Sequence, residues 1–320
     1  MDRPGALARL RVALAGFAAE HLPEATGWCA ALSGGPDSLA LTAAAAATLP
    51  TTALIVDHGL QPGSAEVAET ARRSALELGC VAARVLAVRV GTEGGPEAAA
   101  RAARYAALDA ARGGAPVLLA HTLDDQAETV LLGLGRGSGA RSIAGMRTCD
   151  PPWYRPLLGE RRSLTHAVCA ELGLTPWDDP HNSDRRFTRV RLRTEVLPLL
   201  EDVLGGGVAE ALARTAAALR EDTDALDALA DRTLGDAEDG ANVAVATLVG
   251  LPTAVRRRVI RRWLLRGGAS GLTDKQIRAV DALVTTWRGQ GGVAVGSDLR
   301  HQRLFAGRRD GRLVLYSQPV

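Results

Sequence analysis

Residues 27–38 read Gly27-Trp28-Cys29-Ala30-Ala31-Leu32-Ser33-Gly34-Gly35-Pro36-Asp37-Ser38, an apolar run followed by a hexad of small and polar residues. An alanine-rich stretch to Leu49 comes next. A short apolar run bounded by a glycine turn reads as a buried strand, and the stretch beyond it as a helix. Glycines let backbone amides approach an anion, the Ser33 and Ser38 hydroxyls add donors, and the helix start adds favourable potential. The hexad Ser33, Gly34, Gly35, Pro36, Asp37, Ser38 is therefore suited to cradle phosphate. It is neither a Walker A loop, which needs an adjacent lysine, nor GxGxxG. The chain's sole lysine, Lys275, lies far away.

Outward from this turn, apolar runs alternate with helix-length amphipathic stretches. Strands are predicted at Gly27–Leu32, Thr52–Asp57, Ala82–Val90 and Pro116–His121, and helices at about 38–48, 64–79, 96–112 and 124–135. Such alternation predicts an α/β fold, a doubly wound parallel sheet with ligands at the carboxyl ends of its strands. From Cys149 to Leu200 the pattern breaks into short pieces rich in Pro and Trp, a loop-rich extension of the same domain. Gly205-Gly206-Gly207 reads as a hinge. The division is then 1–205 and 206–320, the latter a smaller, mainly helical α+β domain. In it Leu212, Leu219, Leu226 and Leu229 form one face of a long helix. Ala254–Arg266 buries Val255, Val259, Ile260 and Trp263 while presenting its arginines elsewhere, and Gly292–Val295 and Arg312–Tyr316 look like strands.

Composition narrows the class. The chain has 320 residues, 47% hydrophobic and 23% charged, with net charge +2, ordinary values for a globular protein. No segment approaches the roughly 20 apolar residues that span a bilayer, and Met1-Asp2-Arg3-Pro4 does not open a signal peptide. A cytoplasmic protein with no membrane association is expected. The cysteines, Cys29, Cys80, Cys149 and Cys169, are scattered without a CxxC pair, which argues against a zinc ribbon or a thioredoxin-type site.

Three polar clusters fall at predicted strand ends. Asp57-His58-Gly59 follows the second strand, beside the position for a nucleotide's adenosine part. Glu97, Arg101 and Arg104 share one helix face, which is either a solvated salt-bridge face or a guanidinium reaching phosphate. His121-Thr122-Leu123-Asp124-Asp125-Gln126-Ala127-Glu128 enters a helix from the fourth strand. Its acids either complement the helix dipole or hold a metal or a cationic amine. Arginine clusters at 185–193, 256–266 and 300–312 either bind RNA phosphates or form solvated faces. Trp153, Trp177 and Phe187 are the few candidates for base stacking.

Ser-Gly-Gly-x-Asp-Ser resembles the PP-loop of ATP pyrophosphatases, which adenylate a substrate oxygen and release pyrophosphate. Val56-Asp57-His58-Gly59-Leu60, the Glu97–Tyr105 pattern, Ala120–Thr129, Arg136-Gly137-Ser138-Gly139, Gly145-Met146, Arg155-Pro156-Leu157-Leu158 and Trp177–Asp184 resemble the tRNA(Ile)-lysidine synthetase family in order and spacing. The likeness covers roughly residues 26–200. It departs at Thr122, where the family often has a second His, and at Val190, where it often has Asn.

The resemblance implies a ligase that uses ATP to adenylate the wobble cytidine of a CAU-anticodon tRNA(Ile), then joins free L-lysine to C2. Ser33–Ser38, Asp57 and His58 are the implied ATP contacts. Asp37, Arg104, His121, Asp125 and Glu128 are the implied catalytic set, with Asp125 and Glu128 meeting lysine. Asp37 and Asp124 are the candidate Mg2+ ligands, although Asp37 could equally engage phosphate or cap its helix. A homodimer is among the assemblies allowed. The alternative is a PP-loop tRNA thiolase, which the absence of paired cysteines disfavours.

Overall fold

The computed structural model describes residues 5–59, 61, 63–91, 95–137, 139–298 and 301–319. Met1–Pro4, Leu60, Ser138, Arg300 and the Glu97 side chain, all read above, lie outside what is described. The chain forms two compact units, Met1–Ala217 and Ala218–Val320.

The first unit runs α1 (Ala6–His21), β1 (Trp28–Ala31), α2 (Pro36–Ala46), β2 (Thr51–Asp57), α3 (Ser64–Glu77), β3 (Ala82–Ala87), α4 (Pro96–Ala111), β4 (Val117–Leu118) and α5 (Leu123–Gly135). It continues through α6 (Ala140–Ile143), β5 (Cys149–Asp150), β6 (Trp153–Tyr154), α7 (Arg162–Glu171), α8 (Thr188–Arg191) and α9 (Leu197–Leu204). The sheet order is β3-β2-β1-β4-β6-β5. All neighbours are parallel except β5, which is antiparallel to β6. Sequence and structure agree on a largely parallel sheet.

Each strand divides its side chains between two cores, as a pleat of period two requires. Trp28, Ala53, Ile55 and Leu118 join one core with α1, α2 and α7; Cys29, Ala31, Leu54 and Val117 join the other with Leu108 of α4. Helix α2 is buried from Ser38 to Ala45, so its alanines are a packing requirement rather than a mere propensity. Leu41, fully buried there, would cost roughly 2–5 kcal/mol as alanine.

The chain leaves β1 toward β2 and β3 and returns on the other side at β4. This reversal makes the crevice at the carboxyl ends of β1 and β4 the expected ligand site. The phosphate-type loop follows β1, and His121 follows β4.

The second unit holds most of α10 (Val208–Ala237), then β7 (Glu238–Asp239), β8 (Asn242–Ala244), α11 (Val245–Val249), α12 (Thr253–Arg266), α13 (Asp274–Thr285), β9 (Val293–Val295), β10 (Gln302–Arg309) and β11 (Arg312–Pro319). Its sheet, in the order β7-β8-β11-β10-β9, is antiparallel.

Two expectations are corrected here. Leu229 is exposed, and the buried line of α10 runs through Thr223, Asp227, Ala230 and Leu234. Arg256 is buried rather than presented outward, because Asp281 meets it at 2.5 Å. The three glycines at 205–207 all have positive φ. Across them, the Glu201 carboxylate accepts the Val208 and Ala209 amides at 3.0 and 3.1 Å, capping α10.

Candidate active site

The loop after β1 is held by its own hydroxyls. Ser38 Oγ accepts the Ser33 amide at 3.2 Å, lies 3.1 Å from Ser33 Oγ and donates to the Gly35 carbonyl at 2.9 Å. Gly34 has φ +87°, a conformation that side-chain-bearing residues rarely adopt. Pro36 opens α2 at a position where no N–H is needed. The Trp177 amide donates to the Gly34 carbonyl at 3.0 Å, tying the segment after α7 across the loop.

Two cavities, of about 280 and 590 Å3, share Ala31, Ser33, Arg104 and Trp177 in their walls. The smaller is floored by apolar residues of β1 and β2 and rimmed by Asp57 and His58. The larger holds the loop with Asp37, His121, Asp125, Arg162 and Arg193. Asp57 Oδ1 accepts the Gly59 amide at 2.9 Å, so this carboxylate also fixes its own turn.

Arg104, on the common wall, has no hydrogen-bond or ion-pair partner among the described residues, and burial pulls its guanidinium below the ordinary value. A half-buried cation without a partner, facing open volume, is favoured by an anionic ligand that joins it. The buried Nδ1 atoms of His58 and His121 also lack partners. Burial, then Arg104, lowers His58; burial pushes His121 down to about 4. Both imidazoles are neutral at pH 7.

The acids have partners. Arg162 Nε lies 3.3 Å from Asp37 Oδ2, Nη2 lies 2.7 Å from Asp125 Oδ1, and Nη1 lies 3.5 Å from Glu128 Oε1. Arg193 Nε reaches the wholly buried Glu128 at 2.8 Å. Asp125 Oδ2 accepts the Thr122 amide and hydroxyl, each at 2.8 Å, closing a capping box on α5. Burial alone would raise the Asp125 carboxyl; Arg162 and the Thr122 donors outweigh it and hold the group low. Burial raises Asp37 against the opposing pull of Thr165 and Arg162. Asp124 turns elsewhere: Oδ2 accepts the Arg162 amide at 2.8 Å, and Arg161 lies 3.3 Å from Oδ1.

Sequence reasoning missed Arg162 and Thr165, which both hydrogen-bond Asp37 from the first turn of α7. One signal was available. A helix N-terminus disfavours cations, so consecutive arginines at positions 161 and 162 imply anionic partners. The Gly145-Met146 motif proves structural. Gln126 donates to the Met146 carbonyl at 3.0 Å and accepts its amide at 2.7 Å. A Cβ on Gly145, whose φ is +65°, would lie 2.6 Å from Gln126 Oε1.

Of the aromatic candidates, only Trp177 lines the cavities; Trp153 packs edge-on against Tyr105, and Phe187 against His181. No cysteine lines either cavity. Cys80 and Cys169 are buried, with thiols pushed up to about 11 by that burial.

Residues 9–200 match the model of a PP-loop domain, and residues 244–314 that of the TilS substrate binding domain. The chain is 72% identical to the tRNA(Ile)-lysidine synthase of Mycolicibacterium paratuberculosis over the full length of both. It is 64% identical to that of Nocardia farcinica, over 97% of this chain and 98% of the other. Among solved structures, a U34-tRNA thiolase from Methanococcus maripaludis is similar with TM-score 0.55 at 16% identity, covering 68% of this chain and 80% of that one. At that identity the likeness speaks to the fold alone.

Proposed function

The chain belongs to the tRNA(Ile)-lysidine synthase family, ATP-using ligases with a PP-loop domain, and from that premise we propose how its cleft divides the work. ATP lies with its adenosine part in the smaller cavity and its phosphates on Ser33–Ser38. The wobble cytidine's O2 attacks the α-phosphorus, forming the O–P bond and releasing pyrophosphate. The ε-amine of L-lysine then attacks C2; the C–N bond forms, the C–O bond breaks, AMP leaves, and the amine loses its proton.

Arg104 carries the reading: an unpartnered, half-buried guanidinium on the wall shared by the two cavities suits the α-phosphate, where negative charge builds. Asp125, on the cavity wall, receives the substrate's ammonium group, and the buried Glu128 supports it from behind by holding Arg193. His121, uncharged and with an unpartnered nitrogen, is placed to take the proton released as the C–N bond forms. Gly34 and Gly35 present backbone amides, and α2 adds its N-terminal potential toward pyrophosphate.

No group of three or more His, Cys, Asp or Glu among the described residues could hold a metal. Mg2+ bound through substrate phosphates needs only one or two protein carboxylates, and Asp37, at the loop and in the larger cavity, fits that demand. The ion would neutralise phosphate charge. The second unit, which contains the substrate-binding match, would hold tRNA. A thiolase reading finds no support in the cavity walls, which no cysteine lines.

The test is incubation with ATP, unmodified tRNA(Ile) and radiolabelled lysine. Label must enter the RNA only when ATP is present; none at saturating substrates rejects the reading.

A further inference from the structure

The acid cluster around the proposed amine site is already charge-matched. Asp37, Asp125 and Glu128 face Arg162, Arg193 and, at 3.9 Å from Glu128, Arg189. An ammonium added without rearrangement would leave an excess cation in a half-buried site, where like charges repel strongly. A guanidinium must therefore give way.

The contacts single out which one. Glu128 does not line the larger cavity, whereas Asp125 does. Asp125 has one oxygen committed to the helix cap and the other to Arg162 at 2.7 Å, with Arg193 farther off at 3.7 Å. Arg193 is anchored to Glu128 through both Nε and Nη2, at 2.8 and 3.4 Å. Arg162 instead spreads single contacts over three carboxylates from two elements, and it keeps Asp37 when it leaves Asp125. It also sits at a helix N-terminus, where only its acidic partners favour a cation.

We infer that Arg162 is a resident counter-ion of the amine pocket, which the incoming ammonium displaces from Asp125, and that this exchange sets how tightly an amine must bind to enter. The inference rests on the amine site proposed above. Exchange at Asp125 leaves the guanidinium tethered to Asp37 beside the phosphate loop, so entry of the amine and neutralisation of the phosphates are linked through one side chain.

The experiment is lysine incorporation into tRNA(Ile) by the full chain as wild type, Arg162→Lys and Arg162→Gln, with KM for lysine separated from kcat. Removing the competitor should lower the lysine KM in Arg162→Gln by about tenfold even as kcat falls. Arg162→Lys, which keeps a cation but loses the planar fork, should lie between. Where turnover is too low, the dissociation constant of labelled lysine by equilibrium dialysis, with ATP present, gives the same ordering. An unchanged or higher KM in Arg162→Gln overturns the inference. If that variant does not fold, an unchanged or higher KM in Arg162→Lys does so. Wild type separates the two possible failures: no label in its tRNA rejects the amine site itself, whereas label with equal KM across the series rejects only the role of Arg162.

Discussion

The arginine–carboxylate network around Arg162 in the first unit and the one around Asp227 and Asp281 in the second differ in kind. In the second unit Asp281 takes Arg256 at 2.5 Å and Arg257 at 3.0 Å, while Asp227 takes Arg258 at 3.0 Å and Arg262 at 3.5 Å. These pairs join α12 to α13 and to α10, and none lines the two cavities of the first unit. In the first unit Asp37, Asp125 and Glu128 share Arg162 at the wall of a cavity that also holds an unpartnered guanidinium and an orphan imidazole nitrogen. Ion-pair density is thus no mark of a site. What separates the two is open volume: Arg104 and the orphan nitrogen of His121 face a cavity, whereas the second network, whose Arg262 Nε also lacks a partner, lines neither of these cavities.

Breaking the two networks should have different consequences. The largest effect is expected at the site. Asp37→Ala should lower lysine-independent pyrophosphate release on tRNA(Ile) by at least about 100-fold, whereas Asp125→Ala should spare that step and raise the lysine KM by about 30-fold or more. Equal effects on both steps would mean that the two acids do not serve separate half-reactions.

In the second unit, Arg256→Ala strips one guanidinium from buried Asp281 and should cost roughly 3 kcal/mol in urea unfolding. The lysine KM of the folded fraction should not move. A shifted KM with intact stability would make this network functional after all.

Smaller still is the acid limb of stability. His121 is held neutral, with its pKa near 4 instead of 6.5. The folded form therefore binds fewer protons than the unfolded chain as pH falls from about 6.5 to 4. The stability contributed by neutral His121 is present above 6.5 and lost across that window, by about 2–3 kcal/mol. Unfolding of His121→Asn should show a flatter pH dependence there; an unaltered slope would mean that His121 titrates normally.

Much of the first unit was legible because its strands are continuous apolar runs and its helices amphipathic or alanine-rich, so period and length agreed. The loop at Ser33–Ser38 was legible for a different reason: its residue types suit one anion-binding geometry. Strand β10 and helix α13 were not read. Gln302–Arg309 mixes arginines with Leu304, Phe305 and Ala306, and its pairing with β11 is tertiary information. Arg162 was hidden because its three carboxylate partners come from segments 34–125 residues away in sequence. The α12 arginines were left open between RNA phosphates and a solvated face. Four of them pair with Asp227, Asp231 and Asp281, and these partners were hidden because they lie on other helices.

The central claim is that the loop after β1 holds a nucleotide so that AMP, not phosphate, is transferred. It is tested most directly with ATP labelled at the α-phosphate, supplied with unmodified tRNA(Ile) and lysine and resolved by thin-layer chromatography. The account predicts labelled AMP formed in step with lysine entering the RNA, one for one. Labelled ADP in its place would contradict it.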